Sequence, residues 1–310
     1  MAKKTFSKKS SPRSAPSLKW WHVALVIVCI CALFLLLERV KSKYRQDAPV
    51  APITAQPPAI KVPDDYSQKA YTTTRTAPPV KPRQAAARHL SGTMAVIVDD
   101  MGSSMGELKD LVSINIPITF AVIPGLAKSK AVAEAAHLAG RQVMVHLPME
   151  PQGYPKQRLE ANGLLVSQSE DEIVFRTVDL ISGVPHASGA NNHMGSRFTE
   201  HEEKMIPVVN VLRDKGLFFI DSRTSPKSKG LAVAERLGVR SATRNVFLDN
   251  EQDVAAIKKQ LLAAAEMSKR KGGVIAICHP HAATIAALKE TMPELQAGGI
   301  TFVPAGELVR

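Results

Sequence analysis

Met94-Ala-Val-Ile-Val-Asp-Asp-Met-Gly102 is the stretch on which the reading of the chain turns. A short run rich in β-branched residues ends in two adjacent carboxylates and a glycine. Such residues favour strands, and Gly92 and Gly102 bound the run, so Met94–Val98 is expected as a buried strand. Asp99 and Asp100 then stand at its C-terminal end, where parallel α/β folds carry their chemistry. Adjacent anions cost free energy unless a cation, a proton or hydrogen bonds compensate them. A metal ion is the natural compensator. The plainer alternative is a helix cap beside a solvated carboxylate.

From Met94 onward, short apolar runs alternate with amphipathic or Ala-rich segments. The runs are Met94–Val98, Ile118–Val122, Gln142–His146, Leu217–Ile220 and Gly273–Cys278, with weaker ones at Ala190–Met194, Arg240–Thr243 and Thr301–Val303. Ser169 with Glu172, and Thr199 with Glu202, read as capping boxes that start two helices. Such βα alternation implies a parallel sheet. With seven or eight strands the preferred architecture is a barrel, with a doubly wound open sheet as the alternative. Gly102-Ser-Ser-Met-Gly106 has neither the P-loop lysine nor the dinucleotide-binding spacing.

Polar residues fall at the expected C-terminal ends of these strands: Asp99 and Asp100, His146, Asn191-Asn192-His193, Asp221, and His279 with His281. Several strands delivering Asp and His to one rim are hard to explain by packing alone. One carboxylate, two imidazoles and an open position are what a catalytic zinc needs. Each residue also has a plainer reading. His146 alone fits a core histidine, Asp221 a helix cap and His281 a rim residue. His137 and His201 sit on helical stretches and His186 in a loop, where they read as solvated or packing residues.

The formal net charge of +12 is not spread evenly. Residues 1–93 hold 16 of the 40 Lys and Arg but only Glu38, Asp47, Asp64 and Asp65 among the acids. The remainder is neutral, which argues against a nucleic-acid groove there. Residues 1–19 read as a basic tail. Residues 20–37 are almost entirely apolar, and as a helix would span ~27 Å, about the hydrocarbon thickness. Trp20 and Trp21 sit as interfacial anchors, and the preceding lysines favour a cytoplasmic N-terminus. Leu36-Leu37-Glu38-Arg39 offers no small-residue cleavage site, so an uncleaved anchor is expected rather than a signal peptide. Residues 38–92, rich in proline, read as an extended linker, and 93–310 as the functional domain. The expected placement is a single-pass protein of a bacterial inner membrane with this domain on the outer side. Cys29 and Cys31 lie in the apolar run, leaving Cys278 alone in the domain, so neither a disulfide nor a Cys-x-x-Cys metal site arises there.

The residues from about Met94 to Val309 resemble the polysaccharide deacetylases, in particular their divergent branch, and the resemblance implies a deformed (β/α) barrel of about seven parallel strands. In the main family the first motif is a strand ending in Asp-Asp, here Ile97-Val-Asp-Asp100. The resemblance implies Asp99 as general base and Asp100 as a metal ligand. The second motif carries two ligand histidines four residues apart; His146-Leu-Pro-Met-Glu150 keeps the first and has Glu150 at the second place. The third metal ligand is therefore expected to be His193, with Glu150 as second choice. Asn192-His-Met-Gly195 stands where the family has Arg-x-Pro-Tyr-Gly, so the usual arginine is missing. Asp221 matches the fourth-strand acid and is expected to orient a catalytic histidine. Ile277-Cys-His279 matches the strand leading to the general-acid histidine.

The resemblance implies a divalent metal, Zn²⁺ first, and removal of acetyl groups from an envelope polysaccharide or glycan. A catalytically degenerate module that binds glycan or protein is the alternative, because of the missing Arg and His. A metal-dependent phosphoesterase is a third reading; it calls for cations near the site, for which Arg197 and Arg223 are available.

Overall fold

Alternation along β1 (Gly92–Met101) divides the core of the domain in two. Met94, Val96 and Val98 join a large cluster that includes residues of the helices, such as Leu111 and Val132. Ala95 and Ile97 join a smaller cluster with Ala121, Met144, Phe218, Ile220, Ile275 and Ile277, all from strands. Successive strand residues point to opposite faces. The first cluster is thus the layer between sheet and helices, and the second is the interior of a curled sheet. Burial on both faces explains why the strands read as near-continuous apolar runs.

The computed structural model describes residues 91–310. The basic tail, the apolar run expected to cross a membrane and nearly all of the Pro-rich linker lie outside the described residues. Among the described residues no helix is long and apolar enough to cross a membrane. After β1 come β2 (Thr119–Val122), β3 (Gln142–Met149), β4 (Ala187–Met194), β5 (Phe218–Asp221), β6 (Ser241–Thr243), β7 (Val246–Phe247), β8 (Val274–Cys278) and β9 (Ile300–Phe302). Their order is β6-β5-β4-β3-β2-β1-β8-β7, with β9 added to the start of β1. Every pairing is parallel.

The sheet is a curled half-barrel, consistent with a deformed barrel, and residues 241–247 show how its ends approach. β6 pairs with β5, while β7 pairs with β8. Only Arg244 and Asn245 separate them, so one stretch of chain bridges the two ends of the sheet. Taking it as a single position gives seven around the barrel. The weak run at Arg240–Thr243 corresponds to β6, whereas β7, a two-residue strand, is too short to leave any periodicity in the sequence. β1 also runs further than Met94–Val98 and includes both aspartates.

Helices α1 (Met105–Val112), α2 (Ser129–Leu138), α3 (Glu170–Ser182), α4 (Glu202–Asp214), α5 (Gly230–Arg236), α6 (Val254–Lys271) and α7 (Ala282–Ala297) surround the sheet. Ser104, Ser169 and Asp253 cap three of them by accepting from N–H groups of the first turn. The capping box expected at Thr199 does not form. Thr199 lies in a 3-10 turn (Phe198–Glu200), its hydroxyl donates to the Gly195 carbonyl, and α4 starts after His201 without a side-chain cap.

Phe218 plugs the barrel at the end opposite the aspartates, held between backbone that carries no side chain. A Cβ built at Gly189 would stand 2.3 Å from its ring, and one at Gly306 2.9 Å. Phe218 is buried, so the ring has nowhere to retreat. Gly189→Ala is expected to destabilise the protein by ~1–3 kcal/mol through overpacking, read as a lower urea midpoint with an unchanged denaturant slope.

Candidate functional site

A bulge at the end of β1 builds the centre of the site. Val98 pairs with Phe120 and Met101 with Val122, so three steps on β1 face two on β2. Asp99 follows Ala95 and Ile97 on the inward side. Asp100 would point outward in a regular strand. Its φ of 56° instead turns the backbone left-handed, a conformation Asp tolerates better than most residues. Both carboxylates therefore reach the same cavity, of about 380 Å³, at the C-terminal rim.

Other strands reach that rim by simple alternation. Inward Met144 is followed two residues later by His146, Ile220 by Ser222, and Ile277 by His279. Asn191 and His193 share one parity on β4. His146, His193, Ser222 and His279 line the cavity with Asn192, Thr224 and Phe247.

The structure brings together Asp100, His146 and His193, whose ligand atoms lie within 4.8 Å of one another. His193 Nδ1 is 2.8 Å from Asp100 Oδ1, and His146 Nε2 is 3.2 Å from the same oxygen. Neither approach has hydrogen-bond geometry, and Asp100 Oδ1 is buried without a donor. Asn191 decides the protonation of His146. Its amide nitrogen donates to Asp99 Oδ1 at 2.8 Å and to the Ser222 hydroxyl at 3.2 Å. Its oxygen, 2.7 Å from His146 Nδ1, is then the acceptor. The His146 proton accordingly sits on Nδ1, and in the neutral ring the Nε2 lone pair faces the Asp100 oxygen. A buried carboxylate oxygen with two imidazole nitrogens aimed at it and no proper donor is the environment a divalent cation satisfies. The residues present fit a metal ion.

Electrostatics separate the two aspartates. Burial raises Asp99 above the usual carboxylate range, against the opposing pull of His146, His279 and Asn191. Burial acts upward on Asp100 as well, but His146 and His193 outweigh it and hold Asp100 well below that range. Burial alone would lower His146; the neighbouring carboxylates Asp99 and Asp100 raise it. His279 shows the same contest. Burial works downward, and the Asp249 hydrogen bond with the charges of Asp99 and Asp100 brings it up to about 9.

The residue expected to orient a histidine is not the one that does. Phe218 and Ile220 face the barrel interior and Phe219 the helical layer, so Asp221 points outward. Its carboxylate accepts from Arg223 N at 2.8 Å, Ser228 Oγ at 2.7 Å and Leu231 N at 3.1 Å, tying β5 to the start of α5. It is a structural anchor, close to the helix-cap reading. Asp249, which follows β7, takes the expected position. Its Oδ1 is 3.1 Å from His279 Nδ1, and its Oδ2 accepts from His279 N and the Thr284 hydroxyl. Asp249 went unnoticed because β7 did, although it is two residues beyond inward-facing Phe247.

Glu150, the second choice for the metal, is engaged elsewhere. It pairs with Arg197 at 2.7 Å and accepts from Val166 N at 2.7 Å. Arg197 is thereby spent, and among the described residues no lysine or arginine lines the cavity. Arg244 lies just behind it, bonded to the Ser222 and Arg223 carbonyls and stacked 3.8 Å over Phe247. His281 is near His279 but exposed, contacting Gln252. His137 and His186 stack on each other, and His201 pairs with Glu203, all apart from the cavity. Cys278 is buried, and burial pushes its thiol well up, out of reach of easy ionisation.

Comparison with known proteins places this arrangement. Residues 96–309 match the family described as divergent polysaccharide deacetylase. The chain belongs to that family. It is 36% identical over 220 residues to the uncharacterized protein YibQ of Escherichia coli K12, covering 71% of this chain and 68% of that one. It is 34% identical to an uncharacterized protein of Haemophilus influenzae over 70% of this chain and 76% of that one. Among solved structures, an uncharacterized protein of Agrobacterium tumefaciens C58 shares the fold, with a TM-score of 0.66, 23% identity and coverage of 73% of this chain and 92% of that one.

Two outcomes follow from the placement of Asp221 and Asp249. Asp221→Ala is expected to cost ~1–3 kcal/mol of stability by leaving buried donors unpaired, with bound metal per chain unchanged by elemental analysis. In chelator-treated protein, His279 rises from 6.5 when unfolded to about 9 when folded. Its contribution to stability is therefore complete below pH 6.5 and is lost as pH rises through about 9. Melting temperature should fall across that window, and Asp249→Asn should flatten the fall.

Proposed function

We propose that the domain is a divalent-metal-dependent hydrolase, with Zn²⁺ the best fit, that removes acetyl groups from a cell-envelope polysaccharide or glycan. The observation that carries the reading is the convergence of Asp100, His146 and His193 on one point, with Asp99 beside them and His279 lining the same cavity. Membership of the deacetylase family supports the reaction class. The lack of lysine or arginine in the cavity wall disfavours the phosphoesterase reading. Residues 20–37, as an anchor, would hold the domain outside the cytoplasm, where envelope glycans are.

Asp100, His146 and His193 would hold the ion, which would supply Lewis acidity, lowering the pKa of a water and drawing charge from the acyl oxygen. Asp99 takes the proton of the attacking water. Asn191 occupies its Oδ1, which leaves Oδ2 to act, and its raised pKa makes it a stronger base than an exposed carboxylate. His279 gives a proton to the leaving amine or alkoxide. Asp249 holds its Nδ1, so Nε2 is the nitrogen free to donate, and the raised pKa keeps it charged at neutral pH.

Full-length protein should release acetate from N- or O-acetylated sugar oligomers when supplied with Zn²⁺. Asp99→Asn should cut that release by ~10²–10⁴-fold, and Asp100→Ala and His146→Ala should lose the bound metal. A wild-type protein that takes up no divalent ion sinks the proposal. Sugar binding without acetate release would instead favour the non-catalytic module.

A further inference from the structure

His193 is strung between two carboxylates. Its Nδ1 lies 2.8 Å from Asp100 Oδ1, and its Nε2 lies 3.6 Å from Glu160 Oε2. Glu160 comes from the stretch between β3 and α3. That stretch is tied to the sheet where Leu164 N donates to the Pro148 carbonyl at 2.8 Å, and Pro148 is the register partner of His193. The Glu160 side chain is 26% exposed, yet its Oε2 is buried and has no hydrogen-bond donor. Among the described residues its one ion-pair contact is His193.

A neutral imidazole carries one proton. On Nδ1 it would block the nitrogen that faces Asp100; on Nε2 it leaves that nitrogen free. The oxygen without a donor and the ring nitrogen without an acceptor face each other. The separation is beyond hydrogen-bond length, and a small side-chain movement closes it. His146 already shows the same logic with its nitrogens exchanged, since Asn191 takes the Nδ1 proton and leaves Nε2 for the centre.

We propose that Glu160 is a positioning residue that accepts the Nε2 proton of His193 and so presents Nδ1 to the metal. The inference rests on the metal reading of Asp100, His146 and His193. Carboxylates behind ligating histidines fix tautomer and ring orientation and raise ligand basicity, and losing one costs ~10–100-fold in metal affinity. Glu160 also ties metal binding to the order of the stretch that carries it.

The test is Zn²⁺ affinity, read by competition with a chromophoric chelator, for full-length wild type, Glu160→Ala and Glu160→Gln. Melting of the metal-free forms is followed in parallel. Glu160→Ala should bind Zn²⁺ ~10–100-fold more weakly with unchanged metal-free melting. Glu160→Gln keeps an acceptor oxygen and should recover most of that affinity. Equal affinity in wild type and Glu160→Ala overturns the assignment while leaving the metal site standing. Affinity lost in both variants together with a lower metal-free melting temperature makes Glu160 structural and also overturns it. A wild type that binds no Zn²⁺ overturns the metal reading itself.

Discussion

The two-residue period of the β-strand is the constraint on which the rest of this structure depends. In a parallel barrel each strand sends alternate side chains inward, and at the C-terminal rim the last inward position opens on the cavity. Asp99, His146, Asn191, His193, Ser222 and His279 all obey this rule. Asp100 breaks it, and does so through a bulge and a left-handed backbone. Without that extra residue the second carboxylate would enter the apolar layer beneath the helices, where an unpaired charge is intolerable. Backbone strain of this kind persists where the surroundings over-determine it, often at functional sites. Here β2 holds β1 before and after the bulge, at Val98 and Met101, and β8 holds it up to Val98.

Buried charge is the second organising theme. Asp99, His146, Asn191, His193, Asp221 and Asp249 are all nearly inaccessible, and each needs partners. Asp221 and Asp249 find theirs in backbone N–H groups, hydroxyls and an imidazole. Asp99 finds an amide. Only Asp100 Oδ1 and Glu160 Oε2 are left facing imidazole nitrogens without a donor. Among the described residues, two of the five buried side-chain atoms without a partner, Asp100 Oδ1 and Glu160 Oε2, flank His193, while Glu107 Oε2, Arg141 Nε and Ser241 Oγ belong to residues outside the cavity wall.

The departures from the main deacetylase pattern take on a physical sense in this geometry. The second-motif histidine is replaced by Glu150, which went to a structural ion pair with Arg197. On the adjacent strand His193 stands at the same rim, with the parity needed to face Asp100. Among the described residues no arginine pairs with Asp99 in the place of the missing one. Asn191 holds the carboxylate, and because its other end holds His146, it orients both with a single side chain.

The linear chain determined the strands, the parallel βα order and most of the polar rim, because hydrophobic periodicity and carboxylate or imidazole residues at strand ends are local features. The parity that sends Asp221 outward was also legible, since Phe218 and Ile220 alternate with Phe219 in the sequence itself. The tertiary structure alone decided three things. β7 exists because residues 241–247 must bridge the two ends of the sheet, a need no local signal expresses. Asp249 and Glu160 matter through the neighbours that folding gave them, across 30 residues in one case and between a loop and β4 in the other. That Glu150 meets Arg197 and Val166 N, and that His193 faces Asp100, is likewise a matter of packing and not of spacing.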